Sequence, residues 1–215
     1  MINKPPVPVK RKRKAAPKRK PGRPRKGEGA LDLERIVQAA WALVDRSGMA
    51  ALSTRTLAAA LHVQGPALYW HVHNKDELLS LMMEHLLQHS VTDAPSNLAW
   101  AEWLEYVGRR QRTLLLSHRD SGLIASLALP TERLRKEVFP RLMEPLLAAG
   151  FLPRHASAAL GGLAALVLGW VIYEQRPETR EFVASFHDPD EGFEFALLSF
   201  VAGVREEVGR SRPPA

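Results

Sequence analysis

The chain has 215 residues, no cysteine, 30 Lys and Arg against 23 Asp and Glu, and a formal net charge of +7. The lack of cysteine excludes a disulfide framework, a thiol nucleophile and a cysteine-ligated zinc site, and fits a reducing cytoplasm. Hydrophobic residues make up 46% and charged residues 25%, enough for a packed core in one large domain or in a small domain joined to a larger one.

The positive charge is concentrated at the N-terminus. Residues 1–27 hold twelve Lys and Arg and no acid, so the remainder carries 18 cations against all 23 acids. Such a block repels itself and typically meets a polyanion, so residues 1–29 are expected to be a disordered basic tail. No apolar segment of the secretory kind follows it, and the protein is expected to stay inside the cell. Within the tail, "KRKPGRPRKG" at 18–27 resembles an AT-hook. In that motif Gly22 permits close approach, Pro24 holds the backbone extended, and Arg23 and Arg25, with Lys26 beside them, enter a narrow A·T-rich minor groove. A nonspecific polycation remains the alternative reading, and either adds phosphate contacts.

After residue 29 the apolar spacing becomes helical. Leu33, Ile36, Val37, Ala40, Trp41 and Val44 form one stripe of a helix over 32–47, closed by Gly48. Ser53 is placed to cap a short helix over 54–61, Pro66 suits the first turn of a third, and Asn74 with Glu77 marks the start of a fourth. Two short helices across a tight turn, flanked by longer ones, are a helix-turn-helix over residues 30–76. From Trp100 to Gly209 the pattern is again helical, with breaks near 117–122, 129–131, 150–154 and 176–190, and the chain is expected to be all-α. The apolar run 158–173 has 16 residues. A bilayer span needs roughly 20, so the run is expected to be a core helix and no membrane is expected as a partner. Phe193, Phe195, Leu197, Leu198, Phe200 and Val201 give the last helix more apolar surface than one face needs, which suggests a partner helix.

In a helix-turn-helix the second short helix lies in the major groove, with its first residues at the base edges. "PALYWHV" at 66–72 therefore has an outlet for Tyr69, Trp70 and His71 away from the core, since rings reach thymine methyls and polar tips reach phosphates. Packing within a small head is the competing account of Tyr69 and Trp70. The stretch "LSTRTLAAALHVQGPALYWHVHNKDELL" closely resembles the DNA-binding segment of the tetracycline-repressor (TetR) family. The resemblance continues more loosely through "LLSHRD", "PTE", "AAGF" and "LGWVIYEQ", and so covers roughly 32–209.

The resemblance implies a homodimer, with a DNA-binding head on a helical domain, residues 77–211, that binds a small-molecule effector and forms the dimer. It makes Thr54 a phosphate contact and Arg55 a base reader. It sets Pro66, Ala67, Tyr69, Trp70 and His71 on the recognition helix, Gln64 as a further candidate reader, and Lys75 on the DNA backbone, although Lys75 could also be a solvated helix-start residue. His62 stands where the family has glycine, a left-handed position that histidine tolerates better than most residues. Gly65 and Ala67 replace a glutamine and a threonine of the tetracycline repressors, so the operator must differ.

The family's magnesium–drug ligands fall at Ala125, Ala128 and Tyr173, none of which supplies the expected donor. What remains is an apolar effector pocket of Trp103, Val107, Ala125, Leu129, Trp170 and Tyr173, with Gln111 and Arg141 as polar handles. Ordinary helix packing is the alternative account of Trp103 and Trp170. His85 and His89 have the i, i+4 spacing of a metal clamp, but no general base stands beside them, and histidines near a helix C-terminus often serve only as favourable charges. No metal and no cofactor are expected. The chain thus reads as a ligand-responsive repressor of a double-stranded operator. An architectural protein of A·T-rich DNA is the alternative, and no nucleophile–base pair or phosphate loop supports an enzyme.

Overall fold

The computed structural model describes residues 31–92, 94–95 and 97–210, and among them every regular element is helical. The described residues from Leu31 onward belong to one compact unit. The proposed minor-groove residues Gly22, Arg23, Pro24, Arg25 and Lys26 lie outside the described residues.

Helix α1, Leu33–Ser47, starts where the Asp32 carboxylate accepts the Arg35 N–H at 2.8 Å. It buries Ile36, Val37, Ala40, Trp41, Leu43 and Val44. Gly48 ends it at φ 78°, and a Cβ there would meet Asp120 Oδ2 at 3.2 Å, so glycine answers both the backbone and the neighbour. A 3₁₀ turn, Met49–Ala51, then leads to α2, Thr54–Ala60. Ser53 and Thr56 cap α2 reciprocally, and Thr56 Oγ1 also donates to the Ala51 carbonyl at 2.8 Å.

His62 takes the left-handed conformation, φ 55°. It closes α2 in a Schellman motif, with His62 N–H on Ala59 O at 3.1 Å and Val63 N–H on Ala58 O at 3.0 Å. Helix α3, Gly65–Tyr69, and helix α4, Lys75–Thr92, complete the head and join it to the rest. The Asn74 side chain accepts the Glu77 N–H at 2.8 Å, and Glu77 reaches back to the His73 N–H at 2.7 Å. That backbone bond is the main reason the Glu77 carboxyl is held below its ordinary range.

The remaining helices are α5, Trp100–Leu116; α6, Ser121–Leu127; α7, Phe139–Ala148; α8, Pro153–Glu174; α9, Pro177–Ala184; and α10, Pro189–Arg210. A π-helical turn, Leu134–Val138, precedes α7. Pro140 offers no N–H to the carbonyl four residues back, a local reason for the ladder to widen there.

Two expectations need correction. The break at 176–190 contains α9, because Pro177 fits the first turn of a helix as well as it ends one. The apolar run of 16 residues lies within a helix of 22, long and apolar enough by composition to cross a membrane. The length argument against a span therefore fails. Within the fold α8 lies against α5, α6, α7 and α10, with Ala156, Ala159, Leu160, Leu163, Val167 and Val171 buried.

Small residues set the closeness of that packing. A Cβ on Gly162 would meet the Phe200 ring at 2.8 Å, and one on Gly108 would meet Leu197 and Leu163 at 2.9 and 3.0 Å. Arg112 ties the same helices by charge. Its Nε and Nη2 donate to the two oxygens of Glu174 at 2.8 and 2.6 Å, Nη2 also donates to Asp190 at 2.5 Å, and its guanidinium lies 4.7 Å from the centre of the Phe193 ring. Two faces stay open. Ala158, Gly161, Ala164 and Ala165 of α8 are exposed, as are Phe195 and Leu198 of α10.

Because Leu163 and Leu197 are both fully buried, Gly108→Val should overpack the α5/α8/α10 seam and destabilise the chain by about 1–3 kcal/mol. A lower denaturant midpoint at unchanged slope is the expected result, and an unshifted midpoint would show that the two leucines have room to move aside.

Candidate nucleic-acid interface

Helix α3 has a single buried residue, Leu68, and Val72 just beyond it is buried as well. This one-sided anchor turns everything else outward. Gln64, Pro66, Ala67, Tyr69 and Trp70 are all exposed, with Tyr69 at 51% and Trp70 at 86%, whereas His71 is half-buried. Burying a large side chain contributes about 1.5–3 kcal/mol. Trp70 withholds most of that from the fold, as expected of a ring reserved for another surface. Packing within the head does not account for it.

At the start of α2, Arg55 is exposed and Thr54 half-buried. The Ser53–Thr56 cap fixes the start of the helix beside them, where the Arg55 guanidinium and the positive end of the helix lie together. Lys75, at the start of α4, is half-buried, and its Nζ donates to the Met49 carbonyl at 3.3 Å. It thus also fastens the start of α4 to the 3₁₀ turn, a tie that its position in the sequence did not disclose.

The head is clasped to the helices behind it by the loop between α5 and α6. Asp45 of α1 accepts the Arg119 N–H at 2.9 Å and pairs with His118 Nδ1 at 3.0 Å, while Asp120 accepts the Met49 N–H at 2.8 Å. The Trp41 ring stacks on His118 with centroids 4.3 Å apart. "SHRD" stood out in the sequence only as part of a resemblance, since nothing local marks these side chains as partners of α1. Behind the loop, the Gln175 amide donates to His118 O at 2.7 Å and Ser121 Oγ at 2.9 Å and accepts the Gly122 N–H at 2.9 Å. The end of α8 is thereby fixed to the same loop.

The proposed effector residues do not converge as one lining. Trp103, Val107 and Gln111 are buried along α5, and the Trp103 indole N–H donates to the Leu142 carbonyl at 3.0 Å, so it locks α5 to α7. Gln111 is only 7% exposed. Trp170 is half-buried, edge-on to Phe193 at 6.2 Å, and Ala125 is half-buried. Leu129, Arg141 and Tyr173 are exposed.

Two clefts occur elsewhere. One of about 460 Å³ lies along the outer side of α5, with Leu98, Tyr106, Arg109 and Arg110 in its wall. The other, of about 280 Å³, lies between α1 and α4 and includes Glu34, Glu84, His85, His89 and Arg133. The second was not visible in the sequence, because its wall joins residues as far apart as Leu33 and Arg133.

Comparison with known proteins gives this architecture its context. Residues 36–82 match the family described as bacterial regulatory proteins, tetR family. The chain is 34% identical over 196 residues to the class G tetracycline repressor protein of Vibrio anguillarum, covering 80% of this chain and 93% of that one. Among solved structures it is similar to TetR from Acinetobacter baumannii AYE, at 32% identity and a TM-score of 0.69 over 83% of this chain and 98% of that one. It is also similar to the TetR family protein ActR of Streptomyces coelicolor in complex with actinorhodin, at 27% identity and a TM-score of 0.73 over 85% and 99% of the two chains. The head, the helical domain behind it and these likenesses over most of each chain agree: the protein belongs to the tetracycline-repressor family and is a DNA-binding transcriptional regulator, not an enzyme.

Proposed function

We propose that the chain acts as a cytoplasmic homodimer that represses from a palindromic operator and is released by a small apolar organic effector. The observation that carries the DNA reading is Trp70, 86% exposed beside Tyr69 on a helix whose only buried residue is Leu68. Thr54, Arg55, Gln64, Pro66, Ala67, Tyr69, Trp70, His71 and Lys75 form the DNA surface of a head comprising residues 30–76. Arg55 reads a base edge, and Lys75 holds a phosphate from the anchor it makes on Met49. Residues 1–29 add minor-groove or phosphate contacts.

The exposed small-residue face of α8 and the exposed Phe195 and Leu198 of α10 support a symmetric contact between two copies. The effector sits in residues 77–211. Its polar handle is Gln111, a largely buried side chain of α5 whose amide would hydrogen-bond a ligand's polar group. Apolar side chains of α5 and α8 supply the rest. The relatives include repressors named for tetracycline and a structural neighbour that holds actinorhodin, which supports a flat polycyclic organic effector here. Ala125, Ala128 and Tyr173 supply no metal ligand of the kind a magnesium chelate needs, so this effector binds without a divalent ion.

Arg55→Ala should relax base preference at one operator position in each half-site at a cost of about 1–3 kcal/mol. Lys75→Gln should instead weaken binding to every sequence alike and reduce the salt slope by about one phosphate contact. Base preferences determined by selection of bound DNA check both, and Arg55 is not a reader if no position relaxes. Removing residues 1–27 should lower affinity most for operators with A·T-rich flanks; an equal loss with G·C-rich flanks would leave only a polycation. For the effector, a melting screen of polycyclic organic compounds should give a hit that survives chelator and is lost in Gln111→Leu. A magnesium-dependent tetracycline response would overturn this assignment of the pocket.

A further inference from the structure

The cleft between α1 and α4 contains a pair of side chains that the DNA and effector reading leaves unused. His85 and His89 stand one turn apart on α4, and their Nε2 atoms face each other at 3.2 Å. Two neutral imidazoles at that distance share one proton, with one ring donating and the other accepting. The same separation has a second meaning. Two nitrogens bound to one tetrahedral zinc, each about 2.0–2.1 Å from the metal, are themselves about 3.3 Å apart. The rings are set almost as a zinc ion would set them.

We infer that His85 and His89 form a binding site for a divalent transition-metal ion of the zinc type, placed at the seam between the DNA-binding head and the helices behind it. The spacing alone did not support this. The side-chain geometry does, because the two Nε2 atoms are brought within 3.2 Å of each other, close enough for one ion to bridge them, with the rings edge-on at 68°. Burial and the neighbouring His89 both lower the tendency of His85 to take a proton, which leaves its ring neutral, as a ligand must be. Across the cleft, Glu34 of α1 carries the negative charge that acts on His85, and the cleft wall also supplies Glu84, Gln88 and Arg133. Arg133 is already occupied by Glu84 and Glu137.

Among the described residues no third His, Cys, Asp or Glu stands in place to complete the coordination. The remaining positions therefore belong to water or to an incoming ligand, and the ion is exchangeable. Binding moves the shared proton, by exchange with water, from Nε2 to Nδ1 of the donor ring, so that both rings ligate as neutral imidazoles, and the ion's charge, next to Glu34, draws α1 toward α4. The inference rests on the α1–α4 geometry and is independent of which effector or operator the protein uses.

The test is a melting and calorimetric titration of the full chain with zinc sulfate, after treatment with chelator and without DNA. Zinc at a hundredfold excess over its dissociation constant should raise the melting temperature by roughly 5 °C or more, reversibly with chelator. His85→Gln and His89→Gln should each lower zinc affinity more than tenfold, and Glu34→Gln should lower it several-fold. Cobalt substitution should give the visible absorption of a site with nitrogen ligands, lost in the same two variants. If His85→Gln/His89→Gln melts like the parent without metal and still binds zinc equally well, the ions occupy other histidines and the site is refuted; absence of any zinc-dependent stabilisation of the parent refutes it as well.

Discussion

The fastening of α1 to the loop between α5 and α6 is the constraint on which the head depends. In a head of four helices, two of them one or two turns long, α3 is held by Leu68 and, just beyond it, Val72. The Asp45 and Asp120 carboxylates take backbone N–H groups from opposite sides of the junction, Arg119 and Met49 respectively, so each part supplies an acceptor for the other. Such bonds to charged acceptors are stronger than neutral ones. Asp120 takes a left-handed backbone, φ 55°, to make its contact, a conformation Asp enters more readily than most residues. Displacing this loop would re-aim α1, and with it α3. Gln175, bonded to the loop from the end of α8, is the route by which the helices behind could do so.

Behind the junction, stability and rigidity arise from different devices. Gly108, Gly122 and Gly162 let helix axes come close, which gains dispersion contacts but leaves no room for adjustment. Arg112 supplies direction. Its two bonds to Glu174 and one to Asp190 fix the register of α5 against α8 and the start of α10. The pair is largely buried, so its contribution lies in this geometry more than in net energy. Arg109 repeats the arrangement nearer the surface, where its bond to Glu194 holds that carboxyl below its usual range.

Local signals in the sequence were sufficient for the head. Ser53, Pro66, Asn74 and the left-handed tolerance of His62 mark boundaries through caps and turns formed within a few residues, and these are the interactions a sequence displays. Trp70 and Tyr69 were legible as surplus aromatics because α3 offers so little interior. The long apolar helix was misjudged in length, since Pro153 reads as a breaker until its place in a first turn is seen. Three kinds of feature were not legible at all. The Asp45–His118 clasp joins residues 73 apart in the chain. The Trp103 indole bond to Leu142 depends on how α7 lies against α5. The approach of His85 to His89 depends on side-chain rotamers, and spacing alone cannot give those.

Gly65 opens α3, and a Cβ built there would meet nothing within 4 Å. Its φ does not lie in the left-handed region, and no neighbour needs the space, so the fold places no demand on this position. The first residue of α3 is in effect a blank. Side chains can be added there without disturbing Leu68 or Val72, which hold the helix down. If the proposed DNA surface holds, target preference and folding are uncoupled at this residue, and operator choice could be redesigned there while the core remains as it is.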